Sequence, residues 1–296
     1  MINIYLYKQP KMKILDWIIN SNKWTWDYLS LNPNAIPLLE ANPDKINWDM
    51  LSQNPNAISL LEANLDKINW SNLSSNPNAM SILKANEDKI DWYYFSLNTS
   101  PKAVAYLEEN PDKINWCLLS KNLSAMSLLK ANQNKINWNM LSQNPNAIPL
   151  LKANFDMIYW ALLSKNENAI HLLEANPDKI DWDFLSLNPG AISLLEKNID
   201  KVNLLALCRN TNGMDLIKKL MTNDNNNYDY CHNYKIIWDL LMSNPSVFTY
   251  DYENMKKTKA DLNDEVIAMA LHPKRIFRLI AEYGEEEIYN IYFDED

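Results

Sequence analysis

The three histidines and three cysteines are the residues best suited to metal binding or catalysis, but they are scattered along the chain. They are His171, His232 and His272, with Cys117, Cys208 and Cys231. Cys231-His232 with Cys208 is the one conceivable zinc site, but a structural zinc site needs four ligands in closely spaced pairs. Phosphate-cradling, serine-hydrolase and H-E-x-x-H motifs are also missing, and the chain has only three glycines. The sequence therefore predicts a non-enzymatic protein with no metal and no cofactor.

Recurring Asp-Lys pairs are the next residues that could act as acid and base. Examples are Asp44-Lys45, Asp112-Lys113 and Asp178-Lys179. A catalytic pair is needed once, whereas these pairs return in loop after loop. We interpret them as solvated charges that neutralise each other. The one basic cluster comprises Lys274, Arg275 and Arg278. It is interpreted as a surface that faces nearby acidic residues, with a phosphate site as the alternative.

A tryptophan recurs at a fixed spacing and marks a repeat. This repeat must form the framework that positions the remaining residues. The series is Trp26, Trp48, Trp70, Trp92, Trp116, Trp138, Trp160 and Trp182, with a spacing of 22 residues except for one interval of 24. Alignment gives W-x-x-L-S-x-N-P-N-A-I-x-L-L-E-A-N-P-D-K-I-N. Such a fixed period indicates stacked units that bury their apolar faces, including the tryptophans, against one another.

Each repeat is predicted to hold two short helices. In the second copy, Asn47 is a good N-cap for a helix that ends at Asn54, because the residue before Pro55 is pushed out of the α region. Asn54 can itself cap a second helix that carries Ile58 and Leu61 at helical spacing. We interpret the Asn-Pro motif as repeated helix capping. A ligand-binding ladder of asparagines is the alternative.

The predicted fold class is all-α, an α-solenoid or superhelix of stacked 22-residue two-helix repeats with degenerate capping units. The expected organisation is an N-terminal capping unit in 1–25, eight regular repeats in 26–203, and degenerate repeats, an Asn-rich insertion and a cap in 204–296. Eight repeats with helices about 8–10 Å apart would extend on the order of 70–80 Å. Leucine-rich repeats are the rival architecture, but their L-x-L strand signature is absent.

Charge and composition limit the possible partners and compartment. The net charge of −9 makes nucleic acid an unlikely partner. An odd number of cysteines without C-x-x-C spacing is typical of a reducing compartment. No signal peptide is evident, and no run approaches the roughly 20 apolar residues of a membrane span. We expect a monomeric cytoplasmic protein that does not enter a membrane.

Several motifs resemble those of a known group of proteins. The Asn-Pro-Asn-Ala-Ile and Asp-Lys-Ile-Asn-Trp motifs, together with the segments 244–252 and 272–276, resemble the Asn-Pro repeat proteins that giant DNA viruses of amoebae and algae, such as mimivirus-like viruses, encode in many copies. The resemblance implies a viral protein that acts in the host cytoplasm or is packaged in the particle. It transfers no catalytic residue.

Positions that differ between repeats are the candidates for partner binding. We call the residues one after each tryptophan the +1 row and those five after it the +5 row; they share one helix face. The candidate residues are Asp27, Leu31, Asp49, Gln53, Tyr93, Leu97, Lys121, Gln143, Lys165, Asp183 and Leu187. Neutral drift at exposed positions is the alternative interpretation. The predicted function is a scaffold for an unknown host or viral protein, or else a structural component of a virion or multi-subunit assembly.

Overall fold

The computed structural model describes residues 12–19, 25–221 and 234–250. Contacts place Ile14–Phe248 in one compact body, and the other body, Met1–Lys13 with Thr249–Asp296, lies almost entirely outside the described residues. The first body contains ten repeats, numbered here from Trp26 to Trp238 by the residue in the tryptophan position. The ninth repeat has Leu204 in that position.

Each repeat begins with a short first helix. The first helices are α2 Trp26–Leu29, α4 Trp48–Gln53, α6 Trp70–Ser74, α8 Trp92–Phe95, α10 Trp116–Lys121, α12 Trp138–Ser142, α14 Trp160–Ser164, α16 Trp182–Ser186, α18 Leu204–Leu207 and α20 Tyr234–Ser243. The second helices are α3 Ile36–Glu40, α5 Ile58–Glu62, α7 Met80–Ala85, α9 Pro101–Glu109, α11 Met126–Ala131, α13 Ile148–Ala153, α15 Ile170–Glu174, α17 Ile192–Glu196 and α19 Met214–Met221. The predicted solenoid of stacked helical repeats is confirmed.

Local sequence explains where these helices begin and end. Asn47 precedes α4, and its side-chain oxygen accepts a hydrogen bond from the backbone N–H of Met50 at 3.2 Å, as an N-cap does. The helix ends at Gln53, before an Asn-Pro pair that cannot continue it. Leu51 from the first helix and Leu61 from the second are both fully buried. Two helices of five or six residues are therefore held by capping and by one shared apolar layer.

Buried asparagines join each repeat to the one before it. Asn54 is fully buried, and its Nδ2 donates to the carbonyl oxygens of Ser30 at 3.0 Å and Asn32 at 2.9 Å. Its Oδ1 accepts from the backbone N–H of Asn56 at 3.0 Å. Equivalent bonds recur at Asn76, Asn98, Asn122, Asn144, Asn166, Asn188, Asn210 and Asn244. We call this series the inner asparagine ladder. The prediction that Asn54 caps the second helix was wrong in detail, because α5 begins after Ala57, which gives no side-chain cap, and Asn54 closes the turn before it. These asparagines also carry the stacking.

A buried serine in most first helices adds a second link. The Oγ of Ser52 donates to the carbonyl of Trp48 at 2.8 Å and accepts from the backbone N–H of Asn69 in the next repeat at 3.0 Å. The same hydroxyl position is filled in the first eight repeats, whereas Cys208 and Met242 occupy it in repeats 9 and 10. Polar groups that would be costly to bury alone are thereby satisfied across repeat boundaries.

The ladder closes on itself. Asn32 in the first repeat donates to the carbonyl oxygens of Met242 at 2.9 Å and Asn244 at 2.8 Å in the tenth. Asn34 donates to the carbonyl of Pro245 at 3.1 Å, and α2 packs against α20. These bonds have the same pattern as those between consecutive repeats. The body Ile14–Phe248 is therefore a closed ring of repeats.

Ring closure corrects one expectation about the array. We expected an elongated stack with separately capped ends, because regular repeats with polar terminal units usually form open superhelices. Instead, the first and tenth repeats cover each other's apolar faces. The outermost segments add two short strands, β1 Met12–Ile14 and β2 Phe248–Tyr250, which pair in a two-stranded sheet, and one helical turn, α1 Asp16–Ile19.

Candidate interaction surfaces

The first helices form the inner wall of the ring. Neighbouring first helices pack closely, for example α4 with α6 and α12 with α14, and within the described residues no two neighbouring second helices pack as closely. In a closed ring, the layer whose elements lie closer together is nearer the centre. Leu51 on α4 is buried, whereas Asp49, about 160° away around the helix, is exposed. The candidate face of the first helices therefore lines the inner wall.

The +1 row contributes partly to stacking. Asp49 accepts a hydrogen bond from Nδ2 of Asn69 at 2.9 Å, and Asp183 accepts one from Asn203 at 2.9 Å. Asp27 makes a longer contact of the same kind. Because these aspartates bind the N-cap asparagine of the next repeat, stacking limits which residues can occupy the +1 positions. Tyr93 departs from this pattern and is 52% exposed.

The +5 row carries cations on one arc of the ring. Lys121, Lys165 and Arg209 occupy this position in repeats 5, 7 and 9. Lys165 is partly buried, and the other two side chains are exposed. Burial lowers the pKa of Lys165, and the positive charges of Lys121 and Arg209 lower it further. Within the described part of the chain, none of the three pairs with a carboxylate.

The other +5 residues are uncharged. Leu31, Leu97 and Leu187 are partly buried. Gln143 is also partly buried, and its Nε2 contacts the sulfur of Met140 at 3.3 Å. A thioether is a weak acceptor, so this amide keeps most of its donor capacity. Gln53 differs, because its Nε2 donates to Oδ1 of Asn72 at 2.9 Å.

Loop lysines stack on tryptophans at the rim where each first helix begins. The Nζ of Lys67 lies 4.5 Å from the ring centre of Trp48, and Lys135 lies 4.4 Å from that of Trp116. Lys89, Lys179 and Lys201 repeat the arrangement over Trp70, Trp160 and Trp182. Mutual neutralisation of Asp and Lys holds for Asp44-Lys45 at 3.0 Å and Asp112-Lys113 at 3.9 Å. In the five repeats above, including that of Asp178-Lys179, the lysine lies over an aromatic face instead.

The tryptophans of the regular repeats are less buried than expected. Trp138, like its counterparts in the first eight repeats, is partly exposed at its rim, whereas Trp238 is only 3% exposed. The expectation that every tryptophan is enclosed between repeats was wrong. The indole sits at the N-terminal residue of its helix, at the rim, and the leucines fill the interior. In five repeats a lysine also covers one indole face.

Three exposed apolar side chains occupy the loop before α14. Met157 and Tyr159 stand where most other loops have lysine and asparagine or aspartate, and Phe155 stands where three loops have proline and two have Leu65 and Ile199. Phe155, Met157 and Tyr159 are 41%, 48% and 47% exposed. The ring of Phe155 packs edge-on against Trp160 with centroids 5.4 Å apart. Tyr159 gives α14 no side-chain cap. We call these three residues the rim cluster. Variable positions were sought on the first helices alone, so this loop was not identified from the sequence, although its residues depart from the repeat consensus.

In the described part of the chain, few side chains are arranged for metal binding or nucleophilic chemistry. No group of three or more His, Cys, Asp or Glu residues there could hold a metal ion. His171 and Glu174 approach to 3.7 Å on an exposed surface. Burial raises the pKa of Cys208 to about 12, so this thiol is a poor nucleophile. The inner asparagine ladder cannot bind a ligand through its amides, because both N–H groups already donate to backbone carbonyls.

Some predicted features fall outside the described residues. They include His232, His272, Cys231, the basic cluster at Lys274, Arg275 and Arg278, and the residues 222–233 of the Asn-rich insertion. Among the helices that are described, none is both long and apolar enough to cross a membrane.

No protein-family model, curated protein or solved structure gives a significant match to this chain.

Proposed function

We propose that the protein is a non-enzymatic scaffold that binds a partner protein through the rim cluster and the adjoining inner wall. The observation that carries this proposal is the exposure of three large apolar side chains, Phe155, Met157 and Tyr159, in one loop. The corresponding described loops of other repeats expose at most one, Leu65 or Ile199. Aromatic residues and methionine are enriched at protein interfaces, where a few large side chains supply most of the binding free energy. By the resemblance noted above, the partner belongs to an infected cell or to a virus.

Restoring the consensus gives a sharp test. In the triple variant Phe155→Pro, Met157→Lys and Tyr159→Asn, each residue becomes the one found at that position in other repeats. The backbone of Asn154 matches that of Asn176, which precedes Pro177, so proline fits at position 155. The new lysine can cover Trp138, and the new asparagine can cap α14. We therefore expect unchanged or higher stability together with loss of partner binding.

A second variant tests the inner wall. Tyr93→Ala with Leu97→Asp alters exposed and partly buried side chains of repeat 4 without touching the rim cluster. Candidate partners are isolated by affinity capture, and each purified partner is then titrated against wild-type protein and both variants. A partner that binds both variants as tightly as wild type would contradict the proposal.

Self-assembly is the alternative that the same cluster supports. If two copies bury their rim clusters against each other, wild-type protein should form dimers or larger species that the triple variant lacks. Light scattering coupled to size-exclusion chromatography measures this directly. Concentration-dependent association of the wild type alone would favour the structural component over the scaffold.

A further inference from the structure

The cations of the +5 row converge because they lie on a concave surface. With neighbouring axes about 8–10 Å apart, the ten first helices lie on a circle of roughly 13–16 Å radius. Axes two repeats apart are then separated by about 15–19 Å. Side chains extending about 6 Å toward the centre would bring their charges to about 8–12 Å, whereas outward extension would separate them by about 22–26 Å. The first range is about 1–1.5 Debye lengths, over which a partly buried group such as Lys165 still experiences repulsion, whereas the second is about three Debye lengths.

The electrostatic environment of Lys165 agrees with inward convergence. The charges of Lys121 and Arg209, each two repeats away, both lower the pKa of Lys165. Charges farther apart than the Debye length of about 8 Å at physiological ionic strength are largely screened in water. The effect of both charges on Lys165 across two repeats therefore fits side chains that extend toward one another over the inner wall. Three cations held together without a carboxylate partner cost stability, and an anion would offset that cost.

The chemistry between the cations suits an oxyanion. Arg209 offers a planar fork of N–H donors that matches phosphate geometry, and lysines bind phosphate as point charges. Gln143 lies between Lys121 and Lys165 in the row, and its amide N–H is engaged only with a sulfur atom. The arc therefore combines three positive charges with a spare neutral donor.

The size of the ligand is limited by the rest of the inner wall. Asp183 lies in the +1 row of repeat 8, between the repeats of Lys165 and Arg209 and about one helical turn from the +5 row, Asp49 lies in the same row across the ring, and the whole chain has a net charge of −9. A long polyanion would approach both rows and be repelled by the carboxylates. A compact anion can lie beside the +5 row alone. We propose that Lys121, Gln143, Lys165 and Arg209 form a binding site for a compact, multivalent phosphate.

Inorganic triphosphate is the probe. Isothermal titration of the full-length protein should give saturable binding to one site, and triphosphate should raise the melting temperature. Lys165→Gln and Arg209→Gln should each weaken binding about tenfold or more, the usual effect of removing one charge-assisted hydrogen bond. Lys130→Gln and Lys152→Gln are matched controls, because these exposed lysines lie on the second helices α11 and α13.

The outcomes separate the phosphate site from the alternatives. Absence of saturable binding at millimolar triphosphate would overturn the proposal, as would equal weakening by the control substitutions. Tighter binding of a short polyglutamate peptide than of triphosphate would assign the arc to an acidic protein segment and overturn the phosphate assignment. Lys165→Arg keeps the charge and should retain binding, and circular dichroism checks that each variant remains folded.

Discussion

Asparagine performs different tasks at four positions of one repeat. Asn47 caps the first helix, Asn54 joins the repeat to its predecessor, and Asn56 donates to the carbonyl of Pro33 at 2.9 Å. Asn64 bonds back to the carbonyl of Leu60 at 2.9 Å and ends the second helix. The short amide both accepts and donates, so one residue type can satisfy turns that glycine or serine would satisfy less completely.

The two described cysteines should differ in reactivity. Cys208 is fully buried and its pKa is raised to about 12, whereas Cys117 is partly exposed. Since only the thiolate reacts, Cys208 should be labelled about a thousandfold more slowly than an ordinary thiol at pH 8. In a Cys231→Ser background, a thiol-disulfide reagent should modify one cysteine in native protein and two in denaturant. Rapid modification of two thiols in native protein would show that Cys208 is accessible.

Lys165 should make stability depend on pH in the alkaline range. Its pKa is lowered by burial and by Lys121 and Arg209, so the unfolded chain binds this proton more strongly than the folded one. The free energy of unfolding should therefore rise with pH as it passes the lowered pKa and approaches the ordinary value of 10.5. Lys165→Gln should remove this rise relative to wild type in denaturant titrations at several pH values. An identical pH dependence for the two proteins would refute the assignment.

At the scale of the element, the inner asparagine ladder should dominate repeat stacking. Asn144→Ala removes two buried donations, to Ser120 and Asn122, and leaves backbone groups without partners, so we expect a loss of about 2–4 kcal/mol. Asn146→Ala is the control, because its bond to the carbonyl of Leu123 at 2.8 Å is exposed and should be worth about 1 kcal/mol or less. Similar losses for the two variants in chemical denaturation would show that burial of the ladder adds nothing.

The lysine–tryptophan contacts should be measurable but modest. Lys135 lies over Trp116, and both are at a solvated rim, so a double-mutant cycle with alanine should give a coupling of about 0.5–1 kcal/mol. The same cycle between Trp116 and Lys130, an exposed lysine on α11, supplies the baseline and should give a coupling near zero. A coupling no larger than that baseline would mean that the contact contributes nothing to stability.

For the whole molecule, closure removes the terminal repeats that an open solenoid must cap. Every repeat of the ring has two neighbours. The seam between repeats 10 and 1 has the same inner asparagine ladder bonds as the interior boundaries. A closed ring also fixes the number of repeats, because adding or deleting one changes the curvature at every boundary.

Distance measurements can distinguish a ring from an open array. Fluorophores at Ser59, in repeat 2, can be paired with labels at His171 in repeat 7 or Asp215 in repeat 9, all exposed on second helices. In the ring, repeat 9 is three steps from repeat 2 and repeat 7 is five steps away, so energy transfer should be stronger to Asp215. In an open array the order would be reversed. The native cysteines are replaced by serine for labelling.

The sequence by itself determined the repeat, its two helices and the cap of the first. These features depend on residues within a few positions of one another: proline ends the first helix, asparagine caps its N-terminus, and leucine recurs at helical spacing. It also identified a set of variable positions that share one helix face, and the structure leaves all of them at least partly exposed. Their role in partner binding stays a prediction.

Only the tertiary structure decided what depends on curvature and on partners far apart in the chain. The ring closes because each repeat is rotated slightly relative to its neighbour and the ten rotations add up. The sequence of a single repeat does not determine their total. The donation from Asn32 to Met242 and Asn244 joins residues more than 200 positions apart. The same curvature faces the +5 row toward the inside of the ring, where the charges of Lys121 and Arg209 lower the pKa of Lys165. Tryptophan placement, too, was decided by three-dimensional packing, because a helix N-terminus at the rim leaves its side chain partly in water.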